Sequence, residues 1–347
     1  MRQISQQTWT TILGSLQLSQ KDNLDYLVSR SVVYYFDREN MAATPSDLLH
    51  NWLRRQLPAD RYEWLGGRLD ALAAEPSDRN LYIAFGLIPR HLGKDDLALT
   101  PDDLDAAQTA RRGWDPVGWS VDVAARVILL CKIGGSGEGF ATRFTDLCRG
   151  ADVGEVMALY AGLPLYPLPE TLESQVAEGL RTNMRAEFEA IAHHNPFPRE
   201  QFDENRWNHM VLKALFIGSV LAPIQGLDDR ANPELARILC DYAHERWAAG
   251  RAVTPELWRC VGPYPHADAL ADLRRVLETG TAIEQKAAAL ALSANPAAPA
   301  HEMMATVPAL ATEIADGTLT WQSLADEMPA GALAKTVKLN HEVEIRP

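Results

Sequence analysis

The chain has 347 residues, 47% of them hydrophobic and 23% charged, the proportions of a water-soluble globular protein that buries a large core. A formal net charge of -13 disfavours free association with nucleic acid or with an anionic membrane surface. The opening residues, MRQISQQTWTTILGSLQ, lack the basic-then-apolar order of a secretory signal, and the longest apolar stretch, Met210 to Ile224, contains Lys213 and is too short to span a bilayer.

Nearly every segment carries the helical period and strand signals are sparse, so the expected fold is all-α without a substantial sheet. One start signal recurs, a capping residue followed by proline and an acid. It opens at Thr44-Pro45-Ser46-Asp47 and returns at Thr100-Pro101-Asp102-Asp103, Asn232-Pro233-Glu234 and Thr254-Pro255-Glu256. The Thr or Asn side chain accepts a free first-turn N–H, proline fits the first helical position, and the acid meets the positive end of the helix dipole. Pro89-Arg90-His91-Leu92-Gly93-Lys94 is a basic turn, either an exposed loop or a cationic edge for a ligand. Ser120 to Lys132 (SVDVAARVILLCK) places Val121, Ala124, Ala125, Ile128 and Leu129 along one helical face. The Gly-rich segment Ile133 to Phe140 has neither Gly-Lys-Ser/Thr nor GxGxxG and comes after no strand, so it reads as an inter-helix turn. Leu147 to Gly162 aligns without gaps with Leu277 to Leu292; in each, a helix ends at glycine and gives way to a helix rich in small residues. Stacked antiparallel helix pairs give that pattern, so a HEAT-like αα-superhelix is expected, with an irregular bundle as the alternative. His193-His194 ends a helix; adjacent side chains diverge by about 100°, so the two rings do not converge on one metal. Cys131, Cys148, Cys240 and Cys260 have no CxxC spacing and sit in apolar helical contexts, as reduced, buried thiols of the cytoplasm do.

The densest polar chemistry runs from Glu178 to Arg259. Arg181 supplies a planar fork suited to a carboxylate or phosphate, and Asn183 stands two positions on. Asn208, His209 and Lys213 edge the apolar face of Val211, Leu212 and Leu215; a lysine in so apolar a run must snorkel or be paired. Asp228, Asp229 and Arg230 lead into the helix that Asn232 caps, where free N–H groups and Arg230 would suit an anion. Asp241, His244 and Glu245 share a face by their spacing. There Asp241 would orient His244 as a base, or the group would hold a divalent ion, with Asp228 and Glu245 the weaker metal candidates. The competing reading is a solvated face salt-bridged to Arg237 and Arg246. HExxH fails, since Ala248 stands where the second His belongs.

EGLRTNM (178–184), NPFP (195–198), WNHMVLKALFIG (207–218), GLDDRAN (226–232) and DYAHERWAAGRAVTPELWR (241–259) together resemble the EboA-domain family. AFGLIPRHLGK (84–94) and ADVGEVMALYAGLPLYP (151–167) resemble it less specifically. Leu180 stands where Ile is expected and His209 where Gln is common, which weakens any catalytic role for His209. The resemblance implies a bacterial metabolite-traffic protein encoded beside enzymes for making or moving a small secondary metabolite. It brings no catalytic residues with it. The expected organisation is N-terminal helices over 1–75, an EboA-like core over 76–262, helix pairs over 263–334 and a frayed tail over 335–347, all in one continuous unit.

The expected function is cytoplasmic binding or chaperoning of a polar, anionic metabolite, in concert with other proteins of the cluster. Arg181, Lys213 and Arg230 would neutralise the anion, and Asn183, Asn208, Asp228, Asp241 and His244 would line the site and read polar groups. An enzyme using His244 and Asp241, and a helical scaffold for partner enzymes, are the alternatives. No cofactor, nucleic-acid partner or membrane span is expected.

Overall fold

Proline and a capping side chain start helices where the sequence places them. In the computed structural model, which describes residues 43–134 and 139–328, Thr44 Oγ1 accepts the Asp47 N–H at 3.2 Å and Asp47 Oδ2 accepts the Thr44 N–H at 3.1 Å. Thr100 and Asp103 form the same reciprocal box, and Asn232 Oδ1 accepts the Leu235 N–H at 2.8 Å. Expectations for residues 1–42, for the turn at 135–138 and for the tail lie outside the described residues.

The helices run α1 (Pro45–Gln56), α2 (Ala59–Ala74), α3 (Asp78–Leu92), α4 (Pro101–Ala110), α5 (Val121–Gly134), α6 (Phe140–Gly150) and α7 (Val153–Ala161). After two 3-10 turns come α8 (Glu173–Gly179), α9 (Arg185–Ala192), α10 (Phe197–Gln201), α11 (Glu204–Phe216), α12 (Leu227–Arg230) and α13 (Pro233–Ala248). A 3-10 helix, Pro255–Cys260, leads to α14 (Ala267–Thr279), α15 (Ala282–Ser293), α16 (Ala298–Ala305), α17 (Pro308–Ala315) and α18 (Trp321–Glu327). Every regular element among the described residues is helical. Among these residues only the isolated bridges Asp96–Ser120 and His193–Ile224 pair backbone in the β manner. No helix among them is long and apolar enough to cross a membrane.

Two helices act as hubs. Helix α5 packs against α1, α2, α3 and α7, and α15 packs against α14, α16, α17, α18 and the 3-10 helix. Val121, Ala124, Ala125, Ile128 and Leu129 are buried as expected, but so are Val123, Val127 and Leu130 on the other sides. A helix apolar all round belongs in a core, and α5 fills that role. The aligned segments are two helix–turn–helix units. Gly150 precedes Asp152, whose Oδ1 accepts the Glu155 N–H at 2.9 Å and whose N–H donates to Glu155 Oε2 at 3.1 Å. Gly280 precedes Thr281, whose N–H donates to Glu284 Oε2 at 2.7 Å.

The fourth start signal behaves differently. Thr254 makes no side-chain cap bond, and the helix it opens is 3-10 rather than α. Glu256 is turned inward instead of facing the helix dipole at the surface. The same segment ends at Gly262, where an added Cβ would lie 2.5 Å from Ala291 O and 2.7 Å from Ala291 Cα in α15. Backbone cannot give way as a side-chain tip does. Gly262→Ala is therefore expected to cost about 1–3 kcal/mol through overpacking, read as a fall in melting temperature. An unchanged melting temperature would show that this backbone crossing relaxes freely.

Candidate functional site

A cleft of about 1060 Å³ opens between α8, α11 and α13. Helix α11 contributes Arg206, His209, Met210 and Lys213, spaced i, i+3, i+4 and i+7, so one face of the helix lines the cleft. Tyr242, Glu245 and Arg246 repeat the i, i+3, i+4 pattern on α13. Leu180 and Arg181 enter from the end of α8, and Arg251 from the loop after α13. Among the described residues of the lining, Arg181, Arg206, Lys213, Arg246 and Arg251 thus face one carboxylate, Glu245, in a chain whose net charge is -13. Leu180, Met210, Leu212, Phe216 and Tyr242 give the same cleft an apolar side, and Phe216 is 72% exposed.

Internal bonds hold these cations in place, two through neutral oxygens and two through carboxylates. Lys213 Nζ donates to Arg181 O (3.3 Å) and to Asn183 Oδ1 (3.2 Å), the pairing its apolar setting calls for. Arg246 donates to Ala252 O at 3.0 and 2.9 Å, two bonds to a neutral carbonyl that leave its charge uncompensated. Arg206 pairs with Glu173. Arg181 pairs with Glu178 at 3.2 Å, with both side chains largely exposed. Charges so exposed are weakly coupled in water and gain strength when a ligand excludes solvent.

Several expected ligand residues serve the scaffold instead. Arg230 donates to the carbonyls of Pro198, Arg199 and Phe202 (3.1, 3.1 and 2.8 Å) and lies over the Trp207 ring, so it caps the end of α10 rather than waiting for an anion. Burial lowers the Arg230 pKa from its ordinary value. Asp228 uses both carboxylate oxygens on Arg259, each at 2.7 Å, which argues against the metal role considered for it. Asn208 is buried, and its amide exchanges bonds with Asn232 at 3.2 and 2.8 Å, tying α11 to the start of α13.

The grouping of Asp241 with His244 is also corrected. Asp241 is exposed and binds Arg237 at 2.6 Å, the surface salt bridge of the competing reading. His244 Nε2 meets Asp272 Oδ1 of α14 at 2.8 Å. Burial raises the Asp272 carboxyl pKa, against the lowering effect of the His244 hydrogen bond. Neither Asp241 nor His244 lines the cleft; Glu245, one position on, does. Among the described residues no group of three or more His, Cys, Asp or Glu is placed to hold a metal ion. All four cysteines are free thiols, and burial pushes each up to about 12, so they are not poised nucleophiles.

Arg206, Tyr242, Arg246 and Arg251 were absent from the sequence-based ligand candidates. The signal for the first was the heptad-like spacing from Arg206 to Lys213. For Tyr242 and Arg246 it was a face rotated by one residue from Asp241 and His244.

No curated protein and no solved structure matches the chain. A family model described as "Metabolite traffic protein EboA" matches residues 45–262, which takes in α1 through the 3-10 helix and all the cleft residues. With well over half its length matched, the chain belongs to the EboA family of metabolite traffic proteins.

Proposed function

We propose that the chain binds and carries a small amphipathic anion in the cleft between α8, α11 and α13, on behalf of the enzymes that make or move that metabolite. The observation that carries this reading is the cation-rich lining set against an apolar wall, in a protein that is acidic overall. Arginine forks suit a phosphate or carboxylate head, and Lys213 adds a point charge. Leu180, Met210 and Phe216 favour a hydrocarbon or ring body rather than the free inorganic ion. An acidic exterior would repel the ligand elsewhere, so the cleft concentrates it. The reading adds an apolar requirement to the polar, anionic ligand expected from sequence. His244, the base of the alternative enzyme reading, does not line the cleft.

Octyl phosphate is a suitable probe, with inorganic phosphate and octanol as its separate halves. Calorimetry should show that octyl phosphate binds more tightly than either half. Lys213→Ala is expected to weaken it about 10-fold, the worth of one charge-assisted hydrogen bond. Arg181→Ala should weaken it about 3-fold, because its guanidinium is more exposed and screened. Unchanged affinity in both variants, with the helical content retained, would sink the assignment.

A further inference from the structure

A second cleft, of about 630 Å³, lies on another part of the matched region, between the Asp96–Leu104 segment, the Asp115–Trp119 loop, α9 and the His193–Asn195 link. Its charge is opposite to that of the first. Among the described residues Asp96, Asp115 and Glu189 line it, and no Lys or Arg does. Arg185 reaches Glu189 from outside the lining at 3.4 Å, and His194 Nδ1 lies 2.6 Å from Asp115 Oδ2, so the acidic wall is buttressed but keeps its sign. Leu99 and Trp119 supply apolar surface.

An acidic wall alone does not define a site; His193 supplies the independent observation. The residue lines the cleft, yet it is only 6% exposed. Nε2 lies 3.0 Å from Val220 O and 3.1 Å from Ser219 Oγ. Ser219 donates its own proton to Glu189 Oε1 at 2.7 Å, so both neighbours of Nε2 are acceptors and Nε2 carries the ring proton. Burial lowers the His193 pKa to about 3, which keeps the ring neutral. Nδ1 is then a bare acceptor, buried and without a hydrogen-bond partner among the described residues. Such an atom is costly unless a donor meets it.

We propose that this second cleft binds a small organic cation with N–H donors, a primary ammonium on an apolar body. Asp115 and Glu189 attract the charge, Nδ1 of His193 accepts one N–H, and Trp119 and Leu99 hold the body. An anion is repelled, and a quaternary ammonium has the charge but no donor. The two clefts would therefore sort ligands by sign.

The test uses the full chain with 2-phenylethylammonium as probe. Phenylacetate serves as the anionic control and the N,N,N-trimethyl analogue as the cation lacking N–H. Imidazole nitrogens are followed by NMR on histidine-labelled protein. The ammonium should saturate and move the His193 Nδ1 resonance towards that of a hydrogen-bonded nitrogen. The trimethyl analogue should bind about 10-fold more weakly, the loss of one charge-assisted bond, and phenylacetate should not bind. Val117→Trp, made at a 40% exposed position on the cleft wall, should abolish binding without disturbing the buried network. Arg181→Ala should leave it unchanged. Failure to saturate, equal binding of phenylacetate, an unmoved Nδ1 resonance or full binding by Val117→Trp would each overturn the proposal.

Discussion

Asp122→Ala is expected to destabilise the fold by about 3–5 kcal/mol, the usual cost of stranding one partner of a buried ion pair. Asp122 and Arg126 are each 2% exposed, one helical turn apart on α5, with Arg126 Nη1 2.6 Å from Asp122 Oδ2. Ser120 Oγ donates to the other carboxylate oxygen at 2.5 Å. Arg126 also donates to Phe85 O at 3.3 Å, lies over the Phe85 ring, and approaches Glu155 Oε1 at 3.8 Å. One guanidinium thus ties the hub helix to α3 and α7. Removing Asp122 leaves that charge in the core with only partial compensation. Denaturant unfolding should show a lower midpoint with an unchanged slope. The double substitution Asp122→Leu with Arg126→Met removes both charges and should recover much of the loss, because a packed apolar pair often matches a buried ionic one. A loss below about 1 kcal/mol in Asp122→Ala would mean that water reaches the site and that the pair is not buried in solution.

This pair also marks where sequence reading stops. On an isolated helix, Arg126 falls opposite the Val121, Ala124 and Ile128 stripe and Asp122 at its edge beside Leu129, and polar residues there signify solvent. Only the packing of α3 and α7 against that side makes them interior. Helix starts were legible because a cap is a local event: Thr44, Thr100 and Asn232 need only the next three residues. Thr254-Pro255-Glu256 has the same letters and failed as an α-helix start because Glu256 found a tertiary partner. The weak alignment of residues 147–162 with residues 277–292 was legible for the same local reason, since Gly before an acid-capped turn fixes both hairpins.

The candidate site was legible in composition more than in register. Arg181, Asn183 and Lys213 are brought together, and they came from neighbouring polar positions on one helix end and one apolar run. Arg230 and Asn208 belong to the same polar density, but arginine and asparagine also satisfy helix ends and buried amides. Composition cannot separate a carbonyl cap from an anion clamp. On α13 the face chosen from Asp241 and His244 differs from the observed cleft face of Tyr242, Glu245 and Arg246 by one residue, about 100° of rotation. His193 and Ser219 were out of reach altogether: 26 residues separate them, and their contact depends on the turn after α11.

Glu256→Ala should be nearly as damaging as loss of Asp122, at about 2–4 kcal/mol, because two backbone donors, one buried and one half-buried, lose their acceptor together. Glu256 is 4% exposed, and its carboxylate accepts the Leu221 N–H at 3.0 Å and the Ala222 N–H at 2.8 Å. It thereby fastens the turn after α11 to the 3-10 helix, and that turn also carries Ser219 and Val220 against His193. Glu256→Gln keeps one acceptor and turns an amide N–H towards the second donor, so it should cost less than Ala. The pH dependence separates charge from shape. Burial raises the Glu256 pKa above its ordinary value, outweighing the two backbone bonds that lower it. A carboxyl whose folded pKa is raised contributes fully below its unfolded pKa, and that contribution fades as pH rises through the folded value. The stability advantage of wild type over Glu256→Gln should therefore be greatest in mild acid and shrink towards neutrality. If the advantage instead grows with pH, the ionised carboxylate is the preferred form in the fold, and the two N–H bonds outweigh desolvation at this turn.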